Sequence, residues 1–459
     1  MFSPVQMPLW LFLVIAGFAA YAALDKIMLP SVRWFFRRRM ERVVARLNQS
    51  LERPIQPFKL ARRHDMIQRL IYDPEVSKAI AAHAQEEGVP ENVAFETAQR
   101  YAREIVPSFS ASLYFGFAIR LAKLISTTLY RVRLGHYAEN KLSEIDPDAT
   151  VVFVMNHRSN MDYVLVTYLA AERSALSYAV GEWARVWPLS RLIKAMGAYF
   201  IRRKSRGALY RKVLARYVRL ATDGGVMQAV FPEGGLSLDG ALAKPRMGIL
   251  KYIVEGHDPD GRDVVFVPVA LNYDRVFEDR ILVAAGQAGE RRFRAKISVL
   301  AKFLTKQLWL RIRGKYHRFG YAAVSFGAPV SLRAFSTAQS GPEVVEPLAQ
   351  ELMRRIGQEV PVLPVPLVAT ALLWAEAPLT RAALEEAVKD LVEDLHNAHV
   401  HIPRDDYSYA VEVGLRNLRR RRVAIERDGC FAVSSEDRPL MEYYAASIGH
   451  LFRVRGEVG

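Results

Sequence analysis

The sequence predicts an α/β fold with a largely parallel sheet and flanking helices. An N-terminal transmembrane helix and a helical region precede the sheet, and a winged-helix-like module follows it. From residue 129 onwards, short apolar segments alternate with segments of helical periodicity, which is typical of parallel strands joined by helices. A long uncharged stretch near the N-terminus predicts the transmembrane helix, and an Asp-Gly pair between two alternating segments predicts a hairpin near the C-terminus.

Length and charge limit the classes of function. The 459 residues are enough for two or three domains, and the net charge of +16 indicates an anionic partner. Nucleic acid, anionic lipid and phosphorylated small molecules all fit that charge. The single cysteine excludes a disulfide framework and a cysteine-rich metal site.

Residues 1–30 are predicted to form a transmembrane anchor. Residues 7–24 lack charged side chains, which is close to the minimum length of about 20 residues for a membrane-spanning helix. Basic residues are absent before this stretch but common after it, so the positive-inside rule places the rest of the chain in the cytoplasm. The basic residues are Arg33, Arg37, Arg38, Arg39, Arg42 and Arg46. A buried hydrophobic helix is the alternative.

The next region, residues 31–109, is predicted to be basic and helical. Within it, residues 74–106 are predicted to form two helices that are separated from each other at Gly88 and Pro90. An α/β domain is predicted for residues 110–335 and starts with an apolar helix at 110–128. Its predicted strands are 129–134, 151–155, 226–231, 264–270 and 321–325, and its predicted helices are 161–171, 209–222 and 247–254.

A helical insertion is predicted at 276–320. Its segment 291–318 contains ten Lys and Arg and no acidic residue, which favours a basic amphipathic helix at a membrane surface. A solvated basic face over an ordinary core helix is the alternative.

The C-terminal part begins with a predicted helical connector at 336–360. The prolines in 361–366 predict a rigid linker, and helices are expected at 367–375, 379–397 and 407–421. Asp428 and Gly429 then lie between two alternating strands. Residues 361–459 therefore predict a winged-helix-like domain.

The most informative stretch surrounds His157 and Asp162. Residues 151–155 are apolar and mostly β-branched, which predicts a buried strand, and a polar turn and a helix follow. Two residues five apart in one regular helix would point about 140° apart. They meet if His157 lies in the turn and Asp162 in the first helical turn, so that Asp162 fixes the tautomer of a general base.

Three further motifs follow in order: Gly197-x-x-Phe200-Ile-Arg202-Arg203, Phe-Pro-Glu233-Gly234-Gly235-Leu-Ser237, and Val-Pro268-Val within an apolar run. Each alone has an ordinary interpretation, respectively a solvated charge pair, a turn and an edge strand. Ligands of parallel sheets bind beyond the carboxyl ends of the strands, glycines let a ligand approach the backbone, and paired arginines can bind a phosphate.

Together with His157-x-x-x-x-Asp162, these motifs resemble the four ordered blocks of the glycerolipid acyltransferases. The details are most similar to the membrane-bound bacterial glycerol-3-phosphate acyltransferases and the dihydroxyacetone-phosphate acyltransferases. The resemblance covers residues 110–335 and 361–453, where the segment from Tyr443 to His450 is similar to that family's C-terminal tail.

The resemblance implies transfer of a fatty acyl group from acyl-CoA or acyl-carrier protein to the sn-1 hydroxyl of glycerol 3-phosphate. The product would be lysophosphatidic acid, in the first step of phospholipid synthesis at the cytoplasmic side of the membrane. It implies that His157 is the general base, that Asp162 orients it, and that no metal or other cofactor takes part. The implied substrate-binding residues are Arg158, Ser159, Gly197, Phe200, Arg202, Arg203, Glu233, Gly234, Gly235, Ser237, Lys244, Arg246 and Pro268.

One departure concerns the acceptor. The family usually has Arg-Ser-Arg in the third block, where this chain has Leu236, Ser237 and Leu238. We therefore expect Arg202, Arg203 and one or both of Lys244 and Arg246 to bind the acceptor phosphate.

Other functions remain open. Lysophosphatidic acid or dihydroxyacetone phosphate could be the acceptor. The segment 235–240 is a near match to the Gly-x-Ser-x-Gly motif of serine hydrolases. A membrane-tethered winged-helix regulator is a remote third function, because five arginines cluster in the C-terminal module, although we expect no nucleic-acid partner. These arginines are Arg416, Arg419, Arg420, Arg421 and Arg422.

Overall fold

The computed structural model describes residues 7–23, 29–170, 175–181, 189–202, 207–289, 309, 313, 317–339, 343–396 and 398–452. The chain divides into two compact units, Met1–Ile55 and Gln56–Gly459. The smaller unit contains the helices Leu9–Ala23 and Leu29–Ser50.

The transmembrane helix predicted within residues 1–30 is not supported. The helix Leu9–Ala23 has 15 residues, and residues 1–6 and 24–28 of the predicted anchor lie outside the described residues. Among the residues that the structure describes, no helix combines the length and the apolar character needed to cross a membrane.

The larger unit contains the predicted pair of helices near its start. The first of them begins after Asp73, whose side chain accepts the Glu75 N–H, and it ends at Gly88 with φ of 63°. That left-handed conformation suits glycine. The helices of this region are Pro57–Leu60, Arg63–Ile71, Pro74–Glu87, Glu91–Ile105, the π-helix Ser112–Ala118 and Ile119–Leu129.

A largely parallel sheet lies at the centre, as predicted, and it has eight strands among the described residues. The strands are β1 Arg131–Tyr137, β2 Thr150–Met155, β3 Ser177–Gly181, β4 Tyr199–Ile201, β5 Gln228–Val230, β6 Val264–Tyr273, β7 Tyr321–Phe326 and β8 Val330–Ser331. The main path runs β1-β7-β6-β2-β5-β3-β4, and β8 pairs with β6. Pairing is parallel except between β6 and its neighbours β7 and β8.

Two hydrophobic clusters cover the two faces of this sheet. Strand β2 is fully buried: Val152 and Val154 belong to one cluster, and Val151, Phe153 and Met155 belong to the other. This alternation follows from the two-residue period of a strand. The helices of this region are Glu139–Ser143, Met161–Leu169, Leu189–Ala195, Ala208–Asp223, Gly248–Glu255, Asp279–Gln287, Leu332–Ala338 and Val345–Gln358.

The rigid linker predicted at 361–366 is wrong. The helix Pro364–Trp374 begins inside that segment, where a proline at the first helical position needs no backbone N–H partner, and Val362 and Leu363 are buried. Val362, Val365 and Leu367 belong to the same apolar cluster as Val151, Phe153 and Met155 of β2. The segment is therefore part of the core.

The remaining elements form a small antiparallel sheet with helices around it, and the predicted hairpin is confirmed at Asp428 and Gly429. The winged-helix assignment stays a prediction. The elements are β9 Leu379–Thr380, Arg381–Asp394, the 3₁₀ turn Pro403–Asp405, Tyr407–Arg420, β10 Ala424–Arg427, β11 Cys430–Val433 and Arg438–Gly449. Most of the basic segment predicted at 291–318 lies outside the described residues.

Candidate active site

The candidate site lies at the carboxyl ends of β2 and β5, which are neighbours in the sheet. Val154 on β2 is paired with Val230 on β5, so the residues that follow these strands emerge side by side. The backbone N–H of His157 donates to Glu233 Oε1 over 2.8 Å. The first and third motifs are therefore joined directly.

His157 and Asp162 meet as the sequence predicts. His157 lies in the turn after β2, and Asp162 lies in the first turn of the helix Met161–Leu169. The distance from His157 Nδ1 to Asp162 Oδ2 is 2.9 Å. A carboxylate at that nitrogen holds its proton there, which leaves Nε2 as the basic nitrogen.

Asp162 is fixed by three further hydrogen bonds. Its Oδ2 also accepts the backbone N–H groups of Arg158, over 2.7 Å, and Ser159, over 3.0 Å. Its Oδ1 accepts the Tyr273 hydroxyl over 2.6 Å. Burial and the Asp162 carboxylate raise the pKa of Tyr273 well above its ordinary value, so this hydroxyl stays protonated. Both side chains are fully buried.

The rings of two aromatic residues contact His157. Phe231 stacks on the imidazole with ring centroids 4.0 Å apart, and Tyr163 meets it edge-on at 5.5 Å. His157 itself is only 1% exposed. In such a sheltered place the bond between the imidazole and Asp162 is stronger than it would be in water.

Glu233 organises the third motif. Its Oε2 accepts the backbone N–H of Ala243 over 3.0 Å, while its Oε1 accepts that of His157. Burial raises the pKa of Glu233 to about 7, although the two backbone hydrogen bonds oppose this shift. Glu233 thus connects the turn that contains His157 to the loop at 243.

Glu278 supports the turn from the other side. Its carboxylate accepts the Ser159 hydroxyl over 2.7 Å and the Asn160 side-chain amide over 3.0 Å. Burial raises the pKa of Glu278, and the hydrogen bonds from Ser159 and Asn160 oppose that shift. Glu278 and Tyr273 are not among the site residues predicted from the sequence: Tyr273 lies at the end of the apolar run that contains the fourth motif, and Glu278 lies beyond it.

The sequence matches two family models. Residues 136–272 match the acyltransferase family, and residues 307–457 match the glycerol-3-phosphate acyltransferase C-terminal region. The chain belongs to the glycerolipid acyltransferases. The first match contains the whole set of four motifs, and the second contains the C-terminal tail with Tyr443 and Tyr444.

Curated members of this family are similar over most of the chain. The glycerol-3-phosphate acyltransferase of Pseudomonas putida is 28% identical over 433 residues, which are 86% of this chain and 49% of that protein. The same-named protein of Xanthomonas campestris is 27% identical over 452 residues, 90% of this chain and 48% of that protein. The chain therefore spans about half the length of the curated relatives it matches.

One solved structure is also similar to part of the chain. The 1-acyl-sn-glycerophosphate acyltransferase of Thermotoga maritima is 17% identical and has a TM-score of 0.33. The alignment covers 57% of this chain and 80% of that chain.

The third motif is held against the C-terminal tail. The guanidinium of Arg158 donates to the Gly240 carbonyl and lies 5.1 Å from the ring centre of Tyr443. Gly240 has φ of 88°, and a side chain there would strike the Tyr443 carbonyl. The structure thus explains why a glycine at this position lets the tail approach the loop.

Ser237 shapes the same loop. Its hydroxyl donates to the Ala241 carbonyl over 2.9 Å and accepts the Gly240 N–H over 3.0 Å, and its own N–H donates to the His157 carbonyl over 2.9 Å. These bonds are those of a residue that fixes a turn. They do not favour the serine-nucleophile alternative.

The candidate phosphate-binding residues lie in different places. Lys244 and Arg246 are exposed. The Arg246 side chain lies against Gly234, with its Cδ atom 2.8 Å from the position that a Cβ atom at Gly234 would take. Gly235 is partly exposed beside Gly234. Lys244 and Arg246 therefore remain accessible to a ligand near Glu233.

Arg202 has a different environment. Its Nε–H and one Nη–H donate to the two carboxylate oxygens of Glu104, over 2.8 and 2.6 Å. The guanidinium also lies 5.3 Å from the ring centre of Tyr101 and 5.7 Å from that of Tyr210. The hydrogen bonds to Glu104 raise the pKa of Arg202. Arg202 thus connects the second motif to the helix Glu91–Ile105.

The other two residues of this motif support the fold. Gly197 has φ of 88°, with the Lys59 side chain close to it, and Phe200 is buried in strand β4. Arg203 lies outside the described residues.

Pro268 lies in the middle of the sheet and not at an edge. It is paired with Val154 of β2 and is fully buried. On its other side, the antiparallel partner of β6 changes from β8, at Phe266, to β7, at Val269, and the Gly327 N–H donates to the Pro268 carbonyl over 2.9 Å. The missing N–H of proline therefore falls where one antiparallel partner ends and the next begins.

Proposed function

We propose that this chain transfers a fatty acyl group from a thioester, acyl-CoA or acyl-carrier protein, to the sn-1 hydroxyl of glycerol 3-phosphate. The observation that carries the proposal is the buried dyad of His157 and Asp162 beside Glu233 within the four motifs of the family. The names of the curated relatives support glycerol 3-phosphate as the acceptor.

In the proposed reaction, His157 Nε2 removes the proton of the acceptor hydroxyl as the oxygen attacks the thioester carbonyl. The new C–O bond forms, the C–S bond breaks, and the leaving thiolate takes the proton from the imidazolium. Asp162 stabilises that imidazolium through Nδ1. A positioned base of this kind contributes about 10²–10⁴-fold to the rate.

The acceptor phosphate would bind near Arg246. Arg246 lies next to Gly234 and its backbone N–H donates to the Pro232 carbonyl over 2.8 Å, so its place beside Glu233 is fixed. Its side chain is exposed and available for a charge-assisted hydrogen bond. Dihydroxyacetone phosphate presents the same phosphate and is the alternative acceptor.

We further propose that the reaction takes place at an anionic membrane surface on the cytoplasmic side. The helix Leu9–Ala23 exposes large apolar side chains, and the helix Leu29–Ser50 exposes several arginines, a combination that favours binding to anionic lipid. The exposed apolar residues include Leu9, Trp10, Phe12, Leu13, Ile15 and Phe18, and the exposed arginines include Arg38, Arg39, Arg42 and Arg46.

The test is an acyl-transfer assay with the full chain reconstituted in anionic vesicles. Glycerol 3-phosphate, dihydroxyacetone phosphate, lysophosphatidic acid and glycerol are compared as acceptors, with acyl-CoA and acyl-carrier protein as donors. We expect glycerol 3-phosphate to be preferred and His157→Ala to lose at least ~10²-fold in rate. Equal acylation of glycerol would contradict a phosphorylated acceptor, and a variant with normal turnover would contradict the role of His157.

A further inference from the structure

A second cluster of chemically active side chains lies away from His157. It consists of His136 at the end of β1, Glu359 after the helix Val345–Gln358, and His399. Strands β7 and β6 separate β1 from β2, so three strand spacings of roughly 4.8 Å separate this cluster from the catalytic strand. The cluster therefore has no part in the proposed acyl transfer.

Both imidazoles converge on one carboxylate oxygen. His136 Nδ1 lies 2.8 Å and His399 Nε2 lies 3.0 Å from Glu359 Oε2. The two rings are stacked, with an interplanar angle of 4° and centroids 4.3 Å apart. One ligand atom from each of the three residues lies within 4.8 Å of the others, and it is the only such group of three among the described residues.

The backbone holds each of these side chains in place. The pairing of β1 with β7 shifts between Leu134 and Tyr137, and a shift of this kind re-aims the side chains in it, here that of His136. The His136 N–H donates to the Ser325 hydroxyl over 3.2 Å. The side chain of Glu359 packs against Gly327. A Cβ atom at position 327 would lie 2.8 Å from the Cγ atom of Glu359.

His399 is fixed in a similar way. Its carbonyl accepts the Val362 N–H over 3.0 Å, and the Val362 carbonyl accepts the His401 N–H over 2.9 Å. These bonds form a short parallel bridge between the segments at 362 and 400. The three ligand-type side chains are thus carried by three separate segments that the fold has already brought together.

We propose that His136, Glu359 and His399 form a binding site for a divalent transition-metal ion of the zinc type. Two imidazoles and one carboxylate are ligands that Zn²⁺ prefers, and they leave a fourth position for water. Zinc ligands at about 2.0–2.2 Å lie roughly 3.4 Å from one another, so each of the two nitrogen–oxygen distances, 2.8 and 3.0 Å, lengthens by about half an ångström to admit the ion. The bound ion ties β1, the helix Val345–Gln358 and the segment around His399 together.

The experiment measures zinc binding to the purified full chain by competition with a chromophoric zinc indicator. We expect one bound Zn²⁺ for the wild type and at least ten-fold weaker binding for His136→Gln, His399→Gln and Glu359→Gln. His396→Gln is the matched control, because His396 is an exposed histidine three residues from His399 and lies outside the cluster. Zinc should also raise the melting temperature of the wild type and of the control but not that of the three variants.

Two results would overturn the proposal. One is a wild-type protein that binds no zinc in competition with the indicator. The other is equal binding by the wild type and the three variants, which would show adventitious binding to other histidines. Circular dichroism of each variant without zinc establishes that it is folded, so a lost site is not confused with a lost fold. Neither result bears on the acyl-transfer assay, which depends on His157.

Discussion

Tyr273 is predicted to position the catalytic dyad. Its hydroxyl donates to Asp162 Oδ1 over 2.6 Å, while the other carboxylate oxygen accepts three N–H groups. Tyr273→Phe removes one oxygen atom and keeps the ring, which packs on Tyr130 with centroids 5.4 Å apart. The change therefore isolates one hydrogen bond to a buried carboxylate.

The magnitude follows from the burial and charge of that bond. A hydrogen bond to a charged group contributes about 1.5–3 kcal/mol, and losing it leaves a fully buried carboxylate oxygen without its donor. We expect the free energy of unfolding to fall by about that amount. Three donors still hold Oδ2, so we expect kcat to fall by about three- to ten-fold, which corresponds to at most ~1.4 kcal/mol. The KM for the acceptor should change little.

Tyr130→Phe is the matched control. Tyr130 is equally buried and lies in the same aromatic cluster, but its hydroxyl donates to the neutral backbone carbonyl of Arg275 over 2.8 Å. Its loss should reduce the free energy of unfolding by about 1 kcal/mol and leave kcat unchanged. The assay is steady-state acyl transfer with urea unfolding of both variants.

The result that would refute the positioning role is specific. If Tyr273→Phe and Tyr130→Phe lower kcat equally, the effect is a general loosening of the core and not a displacement of Asp162. If Tyr273→Phe keeps full kcat, the bond between His157 and Asp162 does not depend on the tyrosine.

Three other changes test separate parts of the site. Arg246→Ala should raise the KM for glycerol 3-phosphate about ten-fold, on the order of 1.4 kcal/mol. The KM for the thioester should change much less in this variant, and the control Lys244→Ala should change the KM for glycerol 3-phosphate much less. Equal effects of both variants on that KM would show a diffuse charge effect. Because the pKa of Glu233 is raised to about 7 in the folded state, its contribution to stability is present below its usual pKa and is lost as pH rises through 7. The free energy of unfolding should therefore fall more steeply between pH 5 and 8 in the wild type than in Glu233→Gln, on the order of 3 kcal/mol, and parallel curves would refute this. Gly240→Ala should destabilise the fold by at least ~2 kcal/mol, because φ is 88° and the Tyr443 carbonyl occupies the place of the new methyl group; unchanged urea unfolding would contradict the contact.

The parts of the site that the sequence predicts are those that depend on local geometry. His157 and Asp162 are five residues apart, and a strand, a turn and a helix of known dimensions are enough to bring them together. The rule that ligands bind beyond the carboxyl ends of parallel strands placed Glu233 in the same site.

The parts that the sequence does not predict depend on contacts between distant segments. Tyr273 is 111 residues from Asp162, and Glu278 is 119 residues from Ser159, so no periodicity or spacing connects them. Strand β4 has three residues, too few to show a period. The prolines at 361–366 suit both a linker and a helix start, and only the packing of Val362 and Leu363 decides between them.

The two leucines of the third motif change how an acceptor phosphate could be bound. Leu236 and Leu238 pack against the apolar cluster that contains Phe153 and Met155, so an arginine at either place would have to leave that contact. The guanidinium of Arg202 is also occupied, because it donates hydrogen bonds to both carboxylate oxygens of Glu104. Among the described basic residues that were predicted to bind the phosphate, Arg246 is therefore the one that is exposed and is also held beside Glu233 by a backbone hydrogen bond, from its N–H to the Pro232 carbonyl. The acceptor phosphate is thus expected to approach Glu233 from the loop at 243–246, in place of the arginines that are usual in the third motif.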